Sequence, residues 1–144
     1  ALGKGQEARI GINPEMAHLL MANADLGHDV SLIQEENMLM HTHWNTISRM
    51  GADTDSMVGS DNWNQSAEVF FWLDEFNYDG YLGLDLLPKS EDSVRAVDIS
   101  IMAMEAMYNE MMSIKEQVKT NMRDLNIDAS HTQELLIKAR GAKP

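Results

Sequence analysis

Three short apolar runs, at Arg9–Asn13, Met38–His43 and Tyr81–Leu86, are each followed by a stretch with helical periodicity. The separations are too long for hairpins and predict parallel strands joined by crossover helices. Pro14 stops the first run, because proline has no N–H for a ladder. Asn37 and Asn45 bound the second, and Pro88 closes the third. Between them, Met16, Leu19, Leu20 and Ala24 keep helical spacing, with a break near Gly27 and a resumption through Val30 and Ile33. Residues 46–60 are rich in Gly, Ser and Asp and read as a loop, and 61–76 as a further helix.

The longest periodic stretch comes last. Val94, Val97, Ile101, Met104, Tyr108, Met111, Val118, Met122 and Leu125 recur in steps of three and four, apart from a gap at Lys115. This predicts one long amphipathic helix over 91–125 with a single buried stripe, opened by a cap in Ser90-Glu91-Asp92. A terminal helix is expected over 130–140, and the GAKP tail is expected to fray. The expected architecture is therefore α/β: residues 1–144 as one domain of three parallel βα units plus C-terminal helices. Such a sheet has two raw edges.

Composition narrows the function classes. The 144 residues are enough to bury a core, and no run of about 18 apolar residues is present, so no membrane span is expected. The chain has no cysteine, which removes disulfides, thiolate metal sites and thiol nucleophiles together. With no export signal in ALGKGQEARIGI, a cytoplasmic location is expected. A formal charge of −12 without a basic patch argues against nucleic-acid binding. Neither a Gly-rich phosphate loop nor a serine nucleophile elbow is found.

Three of the polar signals lie at or just past the end of an apolar run. Glu15 and His18 follow the first run, three residues apart, where the chain turns into a helix. His41 and His43 are two apart in a strand and so share a face. Asp53 and Asp55 form an Asp-x-Asp pair in the loop; Val58 and Asn64 stand where a calcium loop needs Gly and Glu, which excludes that reading. Asp85 ends the third run, where a carboxylate is costly to bury unless it is paired or holds a metal. Carboxylates and imidazoles gathered from several strand ends are the donor set of a divalent-cation site. The twelve methionines and the group Phe70, Phe71 and Trp72 read as core.

The order of these motifs, NPE-x-x-H, then MHTHWN, then D-x-D, then GLDLLPK, resembles the metal-binding part of the xylose isomerase-like TIM barrel sugar isomerases and epimerases. The likeness runs over about residues 9–112, with IGINPEMAHLLMA, MLMHTHWN and GLDLLPK similar to strands six, seven and eight. It implies the C-terminal portion of a (β/α)8 barrel. Glu15 would bridge two divalent ions, Mn²⁺, Mg²⁺ or Co²⁺. His18, Asp53 and Asp55 would hold the catalytic ion, and Asp85 the other. His43 stands where xylose isomerases carry an aspartate ligand, which points away from xylose itself. Catalytic roles would fall to Asp55 and His18, and substrate contacts to His41 and Asn45.

Three functions follow as expectations. The first is a metal-dependent aldose–ketose isomerase acting on a small-molecule sugar, or a fragment of one. The second is a non-catalytic half-barrel assembly module, completed as a homo-oligomer or by a complementing N-terminal half. The third is an epimerase or metal-dependent hydrolase.

Overall fold

Among the described residues, the parallel ladder is confined to a short stretch. In the computed structural model, which describes residues 10–48, 52–124 and 126–141, β1 (Thr42–Trp44) pairs in parallel with β2 (Leu82–Leu84). Thr42 lies opposite Leu82, and Trp44 opposite Leu84. The described residues are otherwise mostly helical: α1 (Met16–Met21), α2 (Leu26–Glu35), α3 (Trp63–Glu75), α4 (Ser93–Arg123) and α5 (Ala129–Ala139).

This corrects the expected architecture. Among the described residues, three parallel βα units of a TIM barrel are not seen; the sheet there has two strands, both shorter than their apolar runs. The first run, expected over 9–13, gives only isolated parallel bridges, Ile12 with Leu39 and Glu15 with His43. Pro14 lies between the two bridges and contributes a carbonyl, which accepts from His43 N at 3.0 Å, but no N–H. A ladder cannot run continuously through it. Arg9, the expected start of that strand, lies outside the described residues, as do Leu125 and the last three residues of the GAKP tail.

The helices follow local signals closely. The break expected near Gly27 falls earlier, at residues 22–25, where Asn23 takes a positive φ and Asp25 caps α2 by accepting His28 N at 2.9 Å. Gly27 lies inside α2 with Glu68 packed on it, so a Cβ there would meet the Glu68 side chain at 2.7 Å. Asp92 caps α4 by accepting Arg95 N at 2.9 Å.

Strand alternation sorts β1 into two faces. Thr42 and Trp44 are fully buried, and Trp44 stacks on Phe70 of α3 with ring centroids 4.5 Å apart. His41 and His43 take the opposite face. The core joins Trp44 to Met16, Leu26 and Val30 of the first two helices, to Val69, Phe70 and Phe71 of α3, and to Met104, Met107, Met111, Ile114 and Val118 of α4. Of the expected stripe of α4, Met104, Met111 and Val118 are inside, and the rest of the buried face is turned from it. Ala96, Ser100, Met107, Glu110 and Ile114 are inside, while Val94, Ile101, Tyr108 and Met122 are exposed.

Candidate metal centre

Four segments deliver the candidate residues to one place. The 10–15 segment runs alongside 38–43 and ends at Glu15, the N-cap of α1; His18 follows one turn later. β1 contributes His43 and, one residue past its end, Asn45. β2 contributes Asp85 just past its end, where Asp85 N donates to Trp44 O at 3.2 Å. The loop after β1 folds back through an antiparallel bridge, with Thr46 N to Ser56 O at 3.1 Å and Ser56 N to Thr46 O at 2.9 Å. That return sets Asp55 beside Asn45, in a left-handed backbone conformation (φ +40°) that Asp tolerates better than most residues.

The side chains form two overlapping groups. Glu15, His18 and Asp53 make one, and Glu15, His43 and Asp85 the other; within each group one ligand atom per residue lies within 4.8 Å of the others. His18 Nδ1 is 3.3 Å from Glu15 Oε2, and its Nε2 is 3.3 Å from Asp53 Oδ2. His43 Nδ1 is 3.1 Å from Asp85 Oδ2. His41 meets His43 edge to face with centroids 5.2 Å apart.

Asn45 sits beneath these groups and is 1% exposed. Its Nδ2 donates to Glu15 Oε1 (2.8 Å), to Asp55 Oδ1 (3.1 Å) and to the carbonyl of Asp85 (3.0 Å). Its Oδ1 accepts Ala17 N at 2.9 Å. Two N–H bonds therefore have three acceptors in reach, and the side chain is covered rather than offered to solvent.

The electrostatics follow from crowding of like charge. The Asp53 hydrogen bond raises the His18 pKa against a smaller opposing effect of burial, and the charges of Glu15, Asp53 and Asp55 add to the rise. Burial pushes the Asp55 carboxyl up, and a hydrogen bond with Asp53 and the charges of Asp53, Glu15 and Asp85 push it further. Neighbouring carboxylates contribute to both shifts, alongside burial at Asp55 and the Asp53 hydrogen bond at His18.

All eight sequence candidates thus fall in one neighbourhood: Glu15, His18, His43, Asp53, Asp55 and Asp85 around Asn45, with His41 against His43. Carboxylate and imidazole donors in each group fit hard or borderline divalent ions such as Mg²⁺, Mn²⁺ or Co²⁺. One contributor went unnoticed in the sequence. A Cβ on Gly83 would fall 2.6 Å from His41 Nε2 and 3.4 Å from His43 Cδ2, so the glycine makes room for both rings. A glycine inside a strand pattern is the signal that marks such a close approach.

No family model and no curated protein matches the chain. Among the described residues, no helix is long and apolar enough to cross a membrane.

Proposed function

We propose that this chain carries the cation-binding part of a metal-dependent sugar isomerase of the aldose–ketose type. The observation that carries the reading is the position of Glu15, common to two ligand groups that draw their other members from α1, the loop, β1 and β2. The order of the motifs, similar to that of xylose isomerase-like enzymes, supplies the substrate class. Glu15, His18, Asp53 and Asp55 would hold one divalent ion, and Glu15, His43 and Asp85 a second. Ions held by these residues would supply positive charge that polarises the sugar and eases movement of hydrogen between adjacent carbons. Asp55 and His18 would take the catalytic roles, and His41, edge to face with His43, would contact the sugar.

Calorimetric titration with Mn²⁺, Mg²⁺ and Co²⁺, on the wild type and on Glu15→Gln, tests the cation half of this reading. Saturable binding that Glu15→Gln abolishes is expected. An aldose panel assayed for ketose with and without Mn²⁺, alone and with a complementing N-terminal half, tests the reaction. Absence of saturable binding refutes the cation site. Binding without any metal-dependent ketose formation refutes the isomerase.

A second reading, a non-catalytic association module, has its own observation. An open apolar groove of about 640 Å³ lies between α3, β2 and α4, lined by Phe70, Leu73, Leu82, Leu84, Ile101 and Tyr108. Such a surface beside a short sheet is suited to covering by a second copy or a complementing chain. Sedimentation equilibrium decides: a monomer at high concentration refutes obligate association.

A further inference from the structure

We infer that Asn45 is a positioning residue, a neutral template that spaces the carboxylates before any ion arrives; this rests on the cation-site reading above. Three acidic side chains, Glu15, Asp55 and Asp85, converge in a chain of net charge −12, and mutual repulsion alone would drive them apart. The buried carboxamide opposes this with two N–H bonds shared among two carboxylate oxygens, Glu15 Oε1 and Asp55 Oδ1, and the Asp85 carbonyl, all within 3.1 Å. Hydrogen bonds to ionised acceptors are among the stronger ones, and burial under the cluster strengthens them further.

The other end of the same amide does a second job. Glu15, the N-cap of α1, makes no side-chain cap, and Asn45 Oδ1 takes the Ala17 N–H instead, from 28 residues away in sequence. That N–H is one of the unpaired donors of a helix first turn. Capping it from β1 fixes where α1 starts, and so where His18, one residue further on, projects. One side chain therefore ties the α1 ligands, the loop ligand and the β2 end to β1. The residue type is restrictive. A lysine would neutralise the cluster and stand in the cation's place, an aspartate could donate to none of the three acceptors, and an alanine would release every partner.

The test has two arms. In the first, Mn²⁺ is titrated calorimetrically into wild type, Asn45→Ala and Asn45→Ser, with helix content followed by circular dichroism and Co²⁺ absorption as a reporter of coordination geometry. Loss of a hydrogen-bond partner behind metal ligands typically weakens binding 10–100-fold. That loss, with an altered Co²⁺ spectrum and retained helix, is the expected result. In the second arm, exchange of the Asn45 side-chain amide protons is followed by NMR in ion-free wild type. Slow exchange is expected, and this arm stands even where the variants fail to fold. Wild type that does not bind Mn²⁺ sinks the cation reading. Wild type that binds while Asn45→Ala and Asn45→Ser match its affinity and Co²⁺ spectrum overturns the positioning role alone. Rapid exchange of the amide in ion-free protein overturns it as well.

Discussion

Removing the Glu110 carboxylate should detach α5 and lower stability by about 2–4 kcal/mol. Glu110 lies on the inner side of α4 and is 7% exposed. Its Oε2 accepts Trp63 Nε1 at 2.8 Å, and its Oε1 accepts Arg140 Nε at 2.8 Å, just past the end of α5. Breaking a buried ion pair by deleting one partner typically costs about 3–5 kcal/mol. Arg140 is 39% exposed, however, and turns to water when released, which lowers its share toward that of a surface pair. Losing the bond to Trp63 adds about 1.5–3 kcal/mol, as for a hydrogen bond to a charged group, partly recovered if water reaches the indole. Alanine returns a few tenths through its helix propensity. Glu110→Gln keeps an acceptor for Trp63 and should cost about half as much. Urea unfolding of Glu110→Ala, Arg140→Ala and the double variant gives the coupling energy. Hydrogen exchange across α5, which has no fully buried residue, should accelerate in Glu110→Ala. A Glu110→Ala loss below about 0.5 kcal/mol, with α5 protection unchanged, would refute this account.

Three further outcomes are expected. Gly83→Ala should displace the His41 ring, seen as shifted imidazole NMR signals for His41 and His43, with a stability loss of about 1 kcal/mol or less because a side chain rather than backbone must move. Asp92→Ala should cost about 1 kcal/mol by uncapping α4, measured by thermal unfolding. The Lys115, Lys119, Asp74 and Glu75 network should give opposite pH limbs. Hydrogen bonds from Lys119 and then Lys115 lower the Glu75 pKa, so its contribution is present above the ordinary glutamate value of 4.5 and is lost as pH falls through the lowered folded value. Burial opposes the charged form of Lys115, yet its bonds to Asp74 and Glu75 outweigh this and raise its pKa. Its contribution is present below 10.5 and disappears as pH rises through the folded value. Lys119→Met should flatten the acid limb in a pH series of urea midpoints, and an unchanged limb would refute the assignment.

Glu15, His43 and Asp85 were legible because each sits at or just past the end of an apolar run, and run ends meet when runs lie side by side; Asp53 and Asp55 come from a loop instead. The extent of pairing was not legible. Apolar character marks 9–13 as strand-like, but a ladder needs a backbone N–H that Pro14 lacks. The stripe of α4 was legible only in part, at Met104, Met111 and Val118, for a related reason. Periodicity counts apolar residues, whereas Ser100 is inside because its Oγ accepts Val58 N at 3.2 Å, and Glu110 because it joins Trp63 to Arg140. Val94, Ile101 and Tyr108 carry the right spacing on the neighbouring face, where Ile101 and Tyr108 line the open groove. Polar groups buried by partnership leave little trace in a hydropathy pattern. The same blindness hid the carboxamide of Asn45 under its acids.

The alternation of Thr42, His43, Trp44 and Asn45 has a last consequence. Sliding this strand by one position against its neighbours would turn the indole outward and drive an imidazole into the oily side. Any sequence change that keeps the interior filled therefore keeps the His41–His43 side of the strand facing the same way. The packing of Trp44 thus fixes the aim of side chains it never touches.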